Sequence, residues 1–171
     1  MDIRIDLGAG NTCPEGFVGV DYTAYNDSIK YVVDLNENKL PFEENSVDEV
    51  RTSHTLEHLN NPMALIQEIH RVLKPGAKCT IIVPYGLHPF SKKPNHLNYW
   101  NMHCIDYFNG DYLEYKKWGK VKIDHHWAQS RIYKPLEVIF DWVIDRSPMT
   151  YEKRFACFFP FFELVIELWK E

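Results

Sequence analysis

Apolar and polar positions alternate from the start of the chain. Ile3, Ile5 and Leu7 fall on one face of an extended segment and Arg4 and Asp6 on the other, which predicts a strand over Asp2–Leu7. Further short apolar runs predict strands over Gly16–Asp21, Lys30–Leu35 and Val47–Thr52, the second and third closed by the acids Asp21 and Asp34. Asn60 and Asn61 then precede Pro62, a helix-start signature, and Leu65, Ile66, Ile69, Val72 and Leu73 recur at helical spacing. Lys74-Pro75-Gly76 stops that helix, and Lys78–Val83 is a buried fifth strand. Beyond a loop over 85–100, a strand is predicted over Val121–Trp127, a helix over Pro135–Ile144 with Leu136, Ile139, Phe140 and Val143 on one face, and a last strand over Leu164–Trp169. Strands alternating with loops or helices make this an α/β chain with a mostly parallel sheet. One crossover is unusual. Only Asn11 to Gly16 lie between the turn at Gly8–Gly10 and the second strand, a reach of roughly 20 Å, which leaves no room for a helix. The first crossover helix is therefore expected to be missing, and Arg4 is tolerated on a strand face without helical cover.

Composition narrows the class. The 171 residues suit one domain, 1–171, and the formal net charge of −5 carries no global basic footprint for nucleic acid. The lysines at 92, 93, 116, 117, 120 and 122 are diluted by Asp106, Asp111 and Glu114 and read as a solvated face. Cys13, Cys79, Cys104 and Cys157 are widely spaced, which fits reduced thiols in a cytoplasm. The apolar stretch Phe155–Trp169 is broken by Pro160, Glu163 and Glu167, so it reads as core and no membrane association is expected.

The candidate chemistry begins at Gly8-Ala9-Gly10. A strand that ends in a Gly-x-Gly turn exposes backbone N–H groups at the carboxyl edge of the sheet, where ligands of open α/β sheets bind. Asp6, Asp21 and Asp34 lie at or beside the ends of successive strands, and Asp21 is placed to accept from ribose hydroxyls. A nicotinamide fingerprint fails because Cys13 stands where a third glycine is needed, and no lysine follows the glycines as in a Walker loop.

With Asp6-Leu7-Gly8-Ala9-Gly10, Val20-Asp21, Asp34-Leu35, Leu40-Pro41-Phe42, Ser46-Val47-Asp48, Ser53-His54-Thr55-Leu56-Glu57-His58-Leu59 and Arg71-Val72-Leu73-Lys74-Pro75-Gly76-Ala77 in order, the chain resembles the class I S-adenosylmethionine-dependent methyltransferases, in particular a short bacterial branch. Lys93-Pro94-Asn95-His96-Leu97 and Tyr151–Leu168 resemble later elements of that branch, while Thr12 departs from its longer glycine pattern. The resemblance implies a Rossmann-like fold, a cofactor-binding half over 1–84 and an acceptor side over 85–171. S-adenosyl-L-methionine would lie across the first four strand ends. Gly8, Ala9 and Gly10 would meet its methionine part with Asp6 nearby, and Asp21 its ribose. Tyr22 would flank the adenine, Asp34 and Leu35 would meet its edge, and Ser53 and His54 would sit near the methyl group.

Methyl transfer needs positioning and, for a protonated nucleophile, a base, for which histidine is suited near neutral pH. His54 is the first candidate, at the end of strand four. His96 is the second, on a loop able to close over the site, and His58 is the third, with a structural role as its alternative. His88 is the fourth candidate. Adjacent His125 and His126 would point to opposite strand faces, and no metal site is expected. Cysteine nucleophiles are not expected either. The aromatics Tyr85, Phe90, Tyr99, Trp100, Tyr107, Phe108, Tyr112 and Tyr115 serve either as packing or as a stacking surface for a nucleobase or glycan. The acceptor is expected to be an oxygen or nitrogen of a small molecule or sugar and not a nucleic acid, with a homodimer through the uncovered sheet face. The alternative is a catalytically inactive module that binds the cofactor or a partner.

Overall fold

The computed structural model describes residues 2–110, 115–127 and 134–171, with the side chains of the last segment described from 137. Asp111, Tyr112, Glu114 and the side chain of Leu136 lie outside the described residues. Four parallel strands come first: β1 (Arg4–Leu7), β2 (Val18–Asp21), β3 (Ile29–Val32) and β4 (Val47–Ser53). Helix α1 (Pro62–Val72) leads into β5 (Leu73–Pro84). The short helix α2 (Ile105–Phe108), β6 (Lys120–His126), α3 (Lys134–Arg146), α4 (Pro148–Arg154) and β7 (Glu163–Trp169) complete the order. The strands form one seven-stranded sheet in the order β3-β2-β1-β4-β5-β7-β6, with β7 antiparallel to both its neighbours.

Residues 8–17, between β1 and β2, are turns and irregular chain. The guanidinium of Arg4 lies over the Phe17 ring, 5.4 Å from its centroid, and a side chain at Gly16 would strike it at 2.5 Å, so this loop partly covers Arg4. Helix α1 begins as its sequence predicts, with the Asn61 side chain accepting from the Ala64 N–H and Pro62 in the first turn. It buries Leu65, Ile66, Ile69 and Val72 against the sheet. Its end differs from expectation. Strand pairing resumes at once at Leu73, and Lys74-Pro75-Gly76 is not a loop but an irregularity inside β5, where the register with β4 shifts and Gly76 takes φ +79°.

The two faces of the sheet differ in kind. Ile5, Leu7, Val20, Val50, Cys79, Ile81, Leu164, Ile166 and Leu168 make one apolar face, packed beneath α1, the aromatic segment and the C-terminal helices. Tyr85, Trp100, Phe108 and Trp118 are buried in this core, so packing accounts for these aromatics. On the opposite face the register aligns rungs of alternating charge. One rung runs Arg4, Glu49, Lys78, Trp169, Lys120, and the next runs Asp6, Arg51, Thr80, Glu167, Lys122. Ion pairs tie these rungs, Arg51 to Asp6 at 2.8 Å and Lys78 to Glu167 at 3.1 Å and to Glu49 at 3.9 Å, while Lys120 stands 4.4 Å over the Trp169 ring. Parallel sheets are normally apolar on both sides. Here most of these side chains are half-buried or exposed, and they satisfy one another. That removes the apolar driving force on which a homodimer through this face would depend.

Reversing one charge tests the ladder. Lys78→Glu replaces two attractions by two repulsions and is expected to cost about 1–2 kcal/mol. Urea unfolding at low salt should show the loss, and 0.5 M NaCl, as an added ~0.5 M screen, should shrink it. A loss independent of salt would mean that packing, not charge, holds Lys78.

Candidate active site

The strand carboxyl ends open into a cleft of about 610 Å³ lined by Gly8, Asp21, Tyr22, Asp34, Leu35, Asn36, His54, Thr55, His58, Leu59 and Asn95. Seven of these were expected from the sequence: Gly8, Asp21, Tyr22, Asp34, Leu35, His54 and His58.

Gly8 takes φ +69°, and its N–H is tied to Val20 O at 2.8 Å. A Cβ there would meet Thr55 Oγ1 at 2.1 Å, so the turn lies flat against Thr55. Gly10 takes φ +54° with open space where its side chain would be, and its N–H donates to Asp21 Oδ2 at 2.8 Å. Asp21 is buried at the end of β2, and its other oxygen, Oδ1, is buried without a hydrogen-bond partner among the described residues. An acid fixed by one N–H with its second oxygen unmet is placed to accept from a ligand hydroxyl. Asp34 caps the 3-10 turn Leu35–Glu37, its Oδ1 accepting from the Asn36 N–H. Leu35 is buried against the cleft floor, while the Tyr22 ring stands exposed, with Tyr25 donating to its hydroxyl at 2.7 Å.

The remaining expected cofactor residues lie elsewhere. Asp6 does not line the cleft, because strand alternation turns it to the charged face, where Arg51 holds it. Burial pushes its carboxyl above the usual range, against the pull of Arg51. Ser53 shares that face, since it is in register with Ile82. Ala9 is buried, its Cβ 3.3 Å from where a side chain at Gly19 would stand. The Gly10 N–H is already committed to Asp21.

His54 leaves β4 in the left-handed region, φ +52°, a conformation costly for a non-glycine residue and concentrated at functional sites. Its Nε2 is 2.7 Å from Glu163 Oε1 and its Nδ1 is 3.4 Å from Glu57 Oε1, while Glu163 also meets His126 Nδ1 at 3.2 Å. The Glu57 carboxylate first, and then that of Glu163, hold the imidazole above its ordinary pKa against the opposing effect of burial. Flanked by two carboxylates, the ring is a donor, which runs against the general base expected of it. Glu163 was not anticipated. It reaches His54 only because β7 inserts antiparallel beside β5, a pairing between residues 109 apart.

His58 and His96 are brought together. The Leu97 and Asn98 N–H groups donate to Glu57 O at 2.7 and 3.1 Å, and Asn98 Nδ2 donates to Leu59 O at 2.6 Å. This stitches the loop after β5 onto the 3-10 turn Leu56–His58. The His58 and His96 rings then meet edge to face, 4.8 Å apart. His58 lines the cleft, whereas His96 is buried beneath it, and burial lowers its pKa. His88 is spent locally, accepting from the Phe90 N–H at 3.1 Å. His125 and His126 do point apart, His125 to Asp141 at 2.8 Å and His126 to Glu163. The thiol of Cys13 is pushed up by burial, and Cys79 and Cys104 are buried with strongly raised pKa values, so none is an activated nucleophile.

Comparison with known proteins agrees with the fold. Residues 12–81 match the family model described as a methyltransferase domain. No curated protein sequence matches the chain. A SAM-dependent methyltransferase from Archaeoglobus fulgidus superposes with a TM-score of 0.67 at 20% identity, over 99% of this chain and 86% of that one. Phosphoethanolamine N-methyltransferase 2 of Haemonchus contortus, in complex with S-adenosyl-L-methionine, superposes with a TM-score of 0.62 at 16% identity, over 99% of this chain. The chain spans about half, 49%, of the length of that protein. A second structure of the Haemonchus contortus enzyme holds phosphomonomethylethanolamine and S-adenosylhomocysteine. In family model and in fold the chain is thus similar to the class I S-adenosylmethionine-dependent methyltransferases, the family its motif string resembles.

Proposed function

We propose that this chain, with its class I methyltransferase fold, uses S-adenosylmethionine to methylate an oxygen or nitrogen of a small molecule or sugar. Residues 1–84 would hold the cofactor and residues 85–171 shape the acceptor side, in one unit. The observation that carries the reading is Asp21, whose buried Oδ1 is unmet beside a Gly-x-Gly turn and a cleft of about 610 Å³. Asp21 would accept from the ribose, Tyr22 would flank the adenine, and Asp34 and Leu35 would meet its edge. The backbone of Gly8 would face the methionine part. Bound there, the cofactor supplies an electrophilic methyl carbon whose bond to sulfur breaks as an acceptor lone pair attacks. The chain's own task is to fix the acceptor in line and to exclude water. His54, pinned by Glu163 and Glu57, would close the methyl end of the cleft, and the loop carrying Asn95 and His96 would close the acceptor end. Among the described residues no helix is long and apolar enough to cross a membrane. The free cysteines are consistent with our reading of a cytoplasmic location.

Calorimetric titration of S-adenosylhomocysteine tests this. Asp21→Ala is expected to weaken binding by about 1–3 kcal/mol, the size of losing a hydrogen bond to a charged group. Failure of the wild-type chain to bind at millimolar ligand would overturn the reading. Binding without turnover across a broad acceptor panel would favour a module that holds the cofactor without catalysis.

A further inference from the structure

We propose that Glu57, His58 and His96 bind a divalent transition-metal ion at the acceptor side of the cleft. One ligand atom from each lies within 4.8 Å of the others. The carboxylate of Glu57 carries the argument. Its residue is 1% exposed, and among the described residues neither of its oxygens accepts a hydrogen bond. A carboxylate buried in this way is costly unless it is paired or coordinates a metal. His54 Nδ1, 3.4 Å from Oε1, offsets part of that cost, and nothing meets Oε2.

The two histidines are prepared in the form a metal requires. His58 Nδ1 lies 2.9 Å from Asn95 O, and His96 Nδ1 lies 3.1 Å from Ser91 O. A carbonyl oxygen only accepts, so Nδ1 carries a proton in both rings, and in the neutral ring Nε2 is then the nitrogen with the free lone pair. A backbone carbonyl on the far nitrogen is the usual orienting partner of a ligating histidine. Neither Nε2 has a hydrogen-bond partner among the described residues. The backbone that carries the ligands is fixed without the ion by the hydrogen bonds from Leu97 and Asn98 to Glu57 O.

Two imidazoles and a carboxylate, with no sulfur, suit Zn²⁺ or a similar first-row dication and leave coordination positions open. Donors around such an ion stand roughly 3–4 Å apart, so the present spread closes with small side-chain rotations. Because His58 also lines the cleft, the ion would hold an acceptor through an oxygen, and this last step rests on the methyltransferase reading.

The test is calorimetric titration of the full chain with Zn²⁺, together with Co²⁺ absorption spectroscopy. One equivalent is expected to bind, with a visible Co²⁺ spectrum of nitrogen and oxygen ligation. His58→Ala, His96→Ala and Glu57→Gln should each weaken binding about tenfold or more, whereas His103→Ala, at an exposed site, should not. A rise in the wild-type melting temperature with Zn²⁺ supplies a readout should a buried variant fail to fold. Absence of binding at millimolar metal, or binding that His58→Ala and His103→Ala affect alike, would overturn the proposal. S-adenosylhomocysteine is titrated on the same sample. Silence toward metal with that ligand bound would remove the metal site alone, and silence toward S-adenosylhomocysteine would remove the methyltransferase reading.

Discussion

Gly8→Ala is expected to destabilise the chain by about 3–4 kcal/mol, and Gly10→Ala by only about 1–2 kcal/mol. Both glycines have positive φ, +69° and +54°, so both variants carry the strain of a left-handed alanine. They differ in what the new methyl group meets. At Gly8 it would stand 2.1 Å from Thr55 Oγ1 and 2.5 Å from Thr55 Cγ2, while at Gly10 nothing lies within 4 Å. Thr55 cannot yield cheaply. It is buried, and its hydroxyl donates to Leu7 O at 3.3 Å and Ser53 O at 3.2 Å. The turn cannot retreat either, because the Gly8 N–H is held by Val20 O. Thr55→Ala in the Gly8→Ala background should restore roughly half of the loss. It removes the two closest contacts and leaves the Thr55 Cβ at 2.8 Å and the backbone strain in place. Urea unfolding of the four chains gives the coupling. Equal losses at Gly8 and Gly10, or no coupling to Thr55, would show that the turn is not packed against Thr55 as described.

The reach of sequence reasoning follows from which forces are local. Alternation in Ile3–Leu7, the Asn61–Pro62 start of α1 and the acids closing β2 and the segment after β3 are readable because strand period, capping and strand ends depend on neighbouring residues. Seven cleft residues were named from the sequence, Tyr22 and Leu35 among them only through the family resemblance. The predicted strand Lys30–Leu35 becomes β3, Ile29–Val32, because Asp34 turns its side chain to cap Asn36 and draws Leu35 into a 3-10 turn. Lys74-Pro75-Gly76 was expected to stop the helix, with the strand resuming at Lys78, yet pairing with β4 begins at Leu73 and the strand runs through the break. Asp6 was assigned to the cofactor by motif position. Alternation along β1 already put it on the face with Arg4, and what only the register shows is its partner there, Arg51, 45 positions away. Glu163 and the meeting of Glu57, His58 and His96 depend on the antiparallel insertion of β7 and on a loop docked by backbone hydrogen bonds, neither of which leaves a local pattern. The alternating charges on β4, β5, β6 and β7 were visible signals that one face of the sheet is open. Only the register shows that they align into rungs.

Arg51→Ala should destabilise the chain by about 3 kcal/mol at pH 7 and by clearly less at a pH of about 5, because burial raises the Asp6 pKa and protonation removes the charge that Arg51 offsets. Arg51 Nη1 donates to Asp6 Oδ1 at 2.8 Å, and Asp6 is 1% exposed. Burial already raises the Asp6 pKa, the nearby Asp21 carboxylate adds to it, and Arg51 opposes both. A group whose folded pKa lies above its unfolded value binds protons more tightly when folded. Its stabilising contribution is therefore complete below the unfolded pKa and is lost as pH rises through the folded pKa. Removing Arg51 takes away the opposing influence, so the folded pKa climbs further and the loss extends toward neutral pH. Asp6→Asn in the Arg51→Ala background should recover most of the stability at pH 7, since a neutral amide needs no countercharge there. Thermal melts of the three variants at both pH values decide the matter. If Arg51→Ala lost as much at pH 5 as at pH 7, Arg51 would not be offsetting a buried charge. Asp6 would then be available to a ligand amine, as its place before the Gly-x-Gly turn implies, and its absence from the cleft lining would need another cause.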